Sequence, residues 1–217
     1  MPQNPDSGFD RVAAFYDPLA RLVFGSALQD AQRCLLPYIP AGASVLIIGG
    51  GSGWILKEVL QQTSPKHILY LEASDKMLQK ARQLNYSATI VDFRHGTDAD
   101  LQPHEQFDLV ITPFLLDLFP EQRLTQLMQQ LYYSLAPGGL WLFADFWPVQ
   151  QKPPFWQKLL AKSMYLFFGV LSDVQAKQLP NYGMHFINLG FQEKYSQSFY
   201  NGFVQAKVFC LNQDLQD

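Results

Sequence analysis

The stretch from Ser44 to Gln62, SVLII-GGGSG-WILKEVLQQ, constrains the fold more than any other part of the chain. A short apolar run meets the turn Gly49-Gly50-Gly51-Ser52-Gly53 and gives way to Ile55, Leu56, Val59 and Leu60 at helical spacing. That order reads as strand, tight turn, helix. A turn without side chains lets a ligand approach the backbone. The helix N-terminus behind it offers unpaired N–H groups and partial positive charge. Glycine turns also occur where nothing binds, so the turn alone divides evenly between a binding and a structural role.

The pattern then repeats. HILYLE is a second strand, and Ser74 is placed to cap a helix whose Met77, Leu78, Ala81 and Leu84 share one face. ATIVDF is a third strand, and FDLVIT, from Phe107 to Thr112, a fourth. Pro120 suits a first helical position, and Leu124, Leu127, Met128, Leu131 and Leu135 form an apolar stripe. The Pro137-Gly138-Gly139 turn separates that helix from a fifth strand, LWLFADF. Apolar strands alternating with amphipathic helices predict an α/β fold with a parallel sheet covered on both faces. Near the end, YSQSFY and FVQAKVFCL flank Asn201-Gly202, a two-residue type I′ turn signal that predicts an antiparallel hairpin. Residues 8–40 read as one or two amphipathic helices interrupted near Asp17-Pro18.

Composition removes several classes of function. The 217 residues suit one domain, and 48% hydrophobic against 16% charged residues supply a large core. Sixteen basic and nineteen acidic residues give a net charge of -3 with no basic block, which argues against a nucleic-acid binder. Cys34 and Cys210 make no disulfide framework. No run of 18 apolar residues appears, and MPQNPDSGFDR lacks the regions of a secretory signal. The expectation is a single cytoplasmic domain spanning 1–217. His67, His95, His104 and His185 show no ligand spacing, so no metal site is expected.

Glu72 ends the second strand, nineteen residues after Gly53, where a carboxylate can accept both hydroxyls of a ribose. A dinucleotide fingerprint would need its third glycine where this chain has Trp54, and no Gly-Lys-Ser/Thr follows to make a P-loop. The turn therefore suits a nucleoside with a small anionic group better than a pyrophosphate.

With these motifs in order, the sequence resembles the class I S-adenosylmethionine-dependent methyltransferases. VLIIGGGSG is similar to their first motif, LEASDKML to the acidic end of the second strand, and HGTDADL to the loop that holds adenine. FDLVITPFLLDLF and LAPGGLWLFADF resemble the fourth strand and the approach to the fifth. The resemblance implies a Rossmann-like, doubly wound, seven-stranded sheet, mostly parallel, with the antiparallel hairpin at its C-terminal edge. It implies that Gly49, Gly50, Gly51 and Gly53 lie beside the methionine part of S-adenosylmethionine. Glu72 and Ala73 would border the ribose and Met77 the adenine, with Thr97, Asp98 and Ala99 around the adenine amino group. Thr112, Pro113 and Phe114 would lie beside the sulfonium. FDRVAAFYD is also similar to the cap helix of the ubiquinone/menaquinone methyltransferase group, which makes Tyr16 a candidate lid contact. Two positions depart from the pattern. Ile47 stands where the family often has an acid, and Leu116-Asp117 where many small-molecule members have a histidine. Asp117 is the candidate general base.

Methyl transfer rests on positioning and exclusion of water, with a base needed only for an acceptor that loses a proton. Thr112-Pro113-Phe114-Leu115 lacks the Asx-Pro-Pro-aromatic signature of amino-methylating nucleic-acid enzymes. The insertion at about 147–180 carries Phe155, Trp156, Leu159, Leu160, Met164, Phe167, Phe168 and Leu171 within about five turns. A core or lid helix is favoured over a membrane-surface element there, because Lys158 and Lys162 are few for a membrane-binding polar face. The expected acceptor is a small, at least partly hydrophobic molecule, lipid-like or quinone-like, methylated on oxygen or carbon. Two rivals stand beside it: an aminopropyltransferase-like enzyme, disfavoured because Ser52 replaces the acid usual in that glycine turn, and a cofactor-binding module without turnover.

Overall fold

The protein is seen in a computed structural model that describes residues 21–84, 90–147 and 179–211. Seven strands form one sheet: β1 Ser44–Ile48, β2 His67–Glu72, β3 Val91–His95, β4 Phe107–Pro113, β5 Leu135–Phe146, β6 Phe191–Phe199 and β7 Val204–Leu211. Their order is β3-β2-β1-β4-β5-β7-β6. The first five run parallel, and β7 pairs antiparallel with both β5 and β6. The α-helices that lie wholly among the described residues are α1 Ala27–Arg33, α2 Trp54–Gln62, α3 Asp75–Arg82, α4 Glu121–Tyr133 and α5 Tyr182–Asn188.

The central strands are apolar throughout because both faces are covered. Along β1, Val45 and Ile47 join the core shared with α1, α2 and α3, while Leu46 and Ile48 join the core shared with α4 and α5. β2 divides the same way, Ile68 and Tyr70 to one side and Leu69 and Leu71 to the other. Strand order reverses at β1 and β4, and in such open sheets the crevice at the reversal is where ligands bind. The glycine turn opens onto it.

Three local expectations change. The hairpin between β6 and β7 forms, but its connection is a short 3₁₀ turn, Tyr200–Gly202, rather than a two-residue loop. Tyr200, Asn201 and Gly202 all take left-handed backbone, and the loop is fastened by Tyr200 Oη donating to Val23 O at 2.9 Å. A tertiary anchor thus replaced the local preference of Asn-Gly. The Pro137-Gly138-Gly139 segment does not precede the fifth strand but lies within β5, where the register against β4 shifts between Phe107 and Leu109. Pro120 caps α4 from extended backbone, and the helix begins at Glu121. Ser74 does cap α3, its Oγ accepting from Met77 N at 3.2 Å. Residues 148–178, most of the aromatic insertion, and the lid candidate Tyr16 lie outside the described residues.

Candidate functional site

The ends of β1, β2, β4 and β5 bring most of the sequence-derived residues to one edge of the sheet. Glu72 organises the first half. Its buried carboxylate accepts from Gly51 N at 2.9 Å and from Ser74 N at 2.9 Å, tying the glycine turn to the loop that enters α3. Burial pushes this carboxyl above its ordinary range, while the backbone N–H groups of Ser74, Gly51 and Ala73 pull it back. It therefore stands fixed rather than free.

The glycines divide by role. Gly51 has φ +64 and nothing within 4 Å of where a Cβ would sit, so its face is open to a ligand. Gly53 has φ +94, and a Cβ there would lie 2.9 Å from Ala81 Cα and 2.8 Å from Leu84 Cδ1. Its bareness serves the packing of the turn on α3. Gly49 abuts Leu115, and Gly50 abuts Tyr70. Tyr70 is fully buried beneath the turn and donates from Oη to Gly51 O at 2.9 Å. It lies in register with Ile47, the position where an acid was missing, so a phenol braces the turn from the neighbouring strand.

Beyond Glu72, Met77 is buried on α3, and His95 Nε2 lies 3.0 Å from Ala73 O. Thr97 caps the short 3₁₀ turn Asp98–Asp100, its Oγ1 accepting from Ala99 N at 3.3 Å. Thr97 N in turn donates to Asp100 Oδ2 at 2.8 Å. Asp98 is buried and gripped by both terminal nitrogens of Arg123, one at 3.0 Å. Arg123 also lies over the Phe119 ring at 5.2 Å. No motif in the sequence marks Arg123, yet a cation in a helix's first turn opposes the helix dipole and signals a partner.

At the end of β4, Thr112 Oγ1 accepts from Trp141 Nε1 at 2.9 Å, so this hydroxyl serves the core. Pro113 pairs with Ala144. Phe114 holds left-handed backbone at φ 53, costly for a bulky residue by roughly 1–2 kcal/mol. It is held by its N–H to Ala144 O at 2.7 Å and by its ring against Phe146 at 5.3 Å.

The feature that sequence spacing did not reveal is a buried carboxyl pair. Asp145, at the end of β5, accepts from Leu116 N at 2.9 Å, Asp117 N at 3.3 Å and Phe146 N at 2.8 Å. It thereby caps the 3₁₀ turn Leu116–Leu118 that follows β4. The Asp117 and Asp145 carboxyls are buried as neighbours, and two like charges cannot both persist there, so the pair keeps a proton. Burial pushes Asp117 up to about 7; burial and then the neighbouring Asp117 raise Asp145 well above the carboxylate range. Among the described residues, Asp117 Oδ1 is buried without a donor, leaving that shared proton to satisfy the pair.

Chemically, the edge offers an open glycine backbone, a fixed carboxylate beside it and a proton-sharing acid pair across the crevice. An open backbone at Gly51 and a fixed acceptor at Glu72 suit a ligand that carries hydroxyl donors. Among the described residues, no three His, Cys, Asp or Glu side chains gather as a metal site, and no helix is long and apolar enough to cross a membrane.

Residues 45–139 match a family model described as a methyltransferase domain. The carboxy-S-adenosyl-L-methionine synthase of Wolinella succinogenes is 27% identical over 144 residues, covering 63% of this chain and 59% of that enzyme. The chain thus spans less than two thirds of that relative's length. Among solved structures, the N-methyltransferase NodS from Bradyrhizobium japonicum, in complex with S-adenosyl-L-homocysteine, superposes with a TM-score of 0.71 at 13% identity. That match covers 96% of this chain and 98% of NodS. The Burkholderia thailandensis 1,6-didemethyltoxoflavin-N1-methyltransferase, with 1,6-didemethyltoxoflavin and S-adenosylhomocysteine bound, gives 0.67 at 14%, covering 94% and 87%.

Proposed function

We propose that this chain, a class I S-adenosylmethionine-dependent methyltransferase whose residues 45–139 carry the methyltransferase domain, transfers a methyl group to a small and at least partly hydrophobic acceptor. The observation that carries the cofactor assignment is the junction of Gly51 with Glu72, an open backbone locked to a strand-end carboxylate. In this reading Gly49, Gly50 and Gly51 border the methionine part, and Gly53 keeps the turn close to α3. Glu72 and Ala73 border the ribose; Met77, Thr97, Asp98 and Ala99 border the adenine. Thr112, Pro113 and Phe114 shape the wall beside the sulfonium, and Tyr16 is the lid contact. Bound cofactor supplies an electrophilic methyl group on sulfur. The chain's part is to orient it and keep water out. Asp117 is the candidate proton acceptor for a nucleophile that carries a proton.

The apolar residues of the 147–180 insertion and the net charge of -3 support a hydrophobic small molecule over nucleic acid, with oxygen or carbon as the methylated atom. Two cysteines without a framework agree with a cytoplasmic setting. The curated relative's name keeps a second reading in view, in which the cofactor itself is the group modified.

Calorimetric titration with S-adenosylmethionine and S-adenosylhomocysteine, with NAD as control, tests the cofactor assignment. Micromolar binding of the first two, weakened about a hundredfold in Glu72→Ala, supports it. Silence toward both in folded wild type overturns it. Methyl transfer to polar molecules in preference to quinones, phenols and lipids would remove the hydrophobic acceptor.

A further inference from the structure

The Asp117–Asp145 pair is set into the wall of the crevice, not remote from it. Leu115, from the same exit loop as Asp117, leans on the glycine turn: a Cβ at Gly49 would lie 2.6 Å from Leu115 Cδ1. The next residue, Leu116, gives its N–H to Asp145, so the pair sits one loop residue behind that contact. Three backbone N–H groups converge on Asp145, an arrangement that favours a carboxylate anion over a neutral acid. Burial opposes this and raises both carboxyls, so the pair is doubly protonated below about pH 7 and above it keeps one proton and a single buried negative charge.

Among the described residues, charged groups on the surrounding elements are engaged elsewhere. On α4, Glu121 bonds His185 of α5, and Arg123 bonds Asp98. On β7, Lys207 bonds Glu193 of β6 and Ser196, and at the far end of β4 Asp108 bonds Lys66 and Ser44 N. Across the crevice, Glu72 is held by the backbone of Gly51 and Ser74.

We propose that the Asp117–Asp145 pair is a specificity determinant that reads the charge on the cofactor's sulfur, favouring the sulfonium over its neutral thioether. This rests on the cofactor assignment above. S-adenosylmethionine and S-adenosylhomocysteine share nucleoside, amino group and carboxylate, so Glu72 and the glycine turn bear on both alike. They differ by one methyl group and one positive charge. When the methyl group leaves, the carbon–sulfur bonding pair stays on sulfur and cancels that charge. The pair's attraction then lapses, and the product is released more readily than the substrate form.

The test measures both dissociation constants by calorimetry at pH 8 in wild type and in Asp117→Asn/Asp145→Asn. The preference for S-adenosylmethionine should fall roughly tenfold in the variant, the order expected for loss of one charge–charge attraction at an effective dielectric near 20. An unchanged preference in a folded variant overturns the proposal. If the variant does not fold, wild type decides: the preference should rise between pH 6 and pH 8 as the doubly protonated pair loses a proton. A flat preference over that range then overturns the proposal. Absence of binding by either ligand in wild type instead removes the cofactor assignment beneath it.

Discussion

Two carboxyl sites face each other across the same crevice, and the fold stabilises them by opposite means. At the end of β2, Glu72 is surrounded by backbone donors from the turn before α2 and the loop before α3. Between β4 and β5, two acids occupy one space, with Asp145 holding the available N–H groups and the pair as a whole keeping a proton. One carboxyl solvated by backbone can remain an anion when buried. Two cannot both do so, because like charges in a low dielectric repel. The first site is suited to constant hydrogen bonding, the second to a charge that changes.

The sharpest way to break this contrast is a stability profile against pH. The unfolded Asp117 titrates near 3.8 and the folded one at about 7. Between those values the folded state binds more protons, so wild-type stability should fall as pH rises through that window, by up to about 4 kcal/mol. Urea unfolding at steps from pH 4 to 8 measures it. Asp117→Asn should reduce the slope, since it removes the titration of Asp117 and its charge beside Asp145 while the burial of Asp145 remains. A wild-type profile as flat as that of the variant would remove the shared proton.

Within the glycine turn, Gly53→Val should destabilise by about 3 kcal/mol, combining left-handed strain with overpacking on Ala81 and Leu84. Gly51→Ala should lose only about 1 kcal/mol of stability, from its backbone angle. It should nevertheless weaken S-adenosylmethionine binding more than Gly53→Val does per kcal/mol of stability lost. Paired denaturation and calorimetry separate the two. The smallest expected effect is at Arg123. Its replacement by Ala frees Asp98 from a buried charge-assisted contact. Cofactor affinity should drop about fivefold through misplacement of the Thr97–Asp100 loop, with Arg123→Lys recovering only part because lysine cannot bond in a fork.

Much of the Glu72 half was legible in the chain itself. SVLII followed by glycines, HILYLE ending in an acid, and Ser74 three residues before Met77 are local signals, and each became the element it indicated. The acid-pair half was not legible, because Asp117 and Asp145 lie on different strands' exits and meet only when β4 and β5 pair. In the sequence Asp117 reads as a lone base, and its partnership with Asp145 is what spacing could not show. Likewise nothing in HILYLE indicates that Tyr70 would reach under the glycine turn, and nothing in EQRLTQ names Asp98 as the partner of Arg123.

By itself, then, the sequence determined the alternation of strands and helices, the glycine turn and the hairpin, because periodicity, propensity and turn chemistry act over a few neighbouring residues. Tertiary structure decided that the hairpin closes through a loop anchored on Val23, that Gly53 faces α3 while Gly51 stays open, and that two acids share a proton. Those outcomes depend on distances between segments far apart in the chain and on the low dielectric that burial creates. Neither exists until the sheet has assembled.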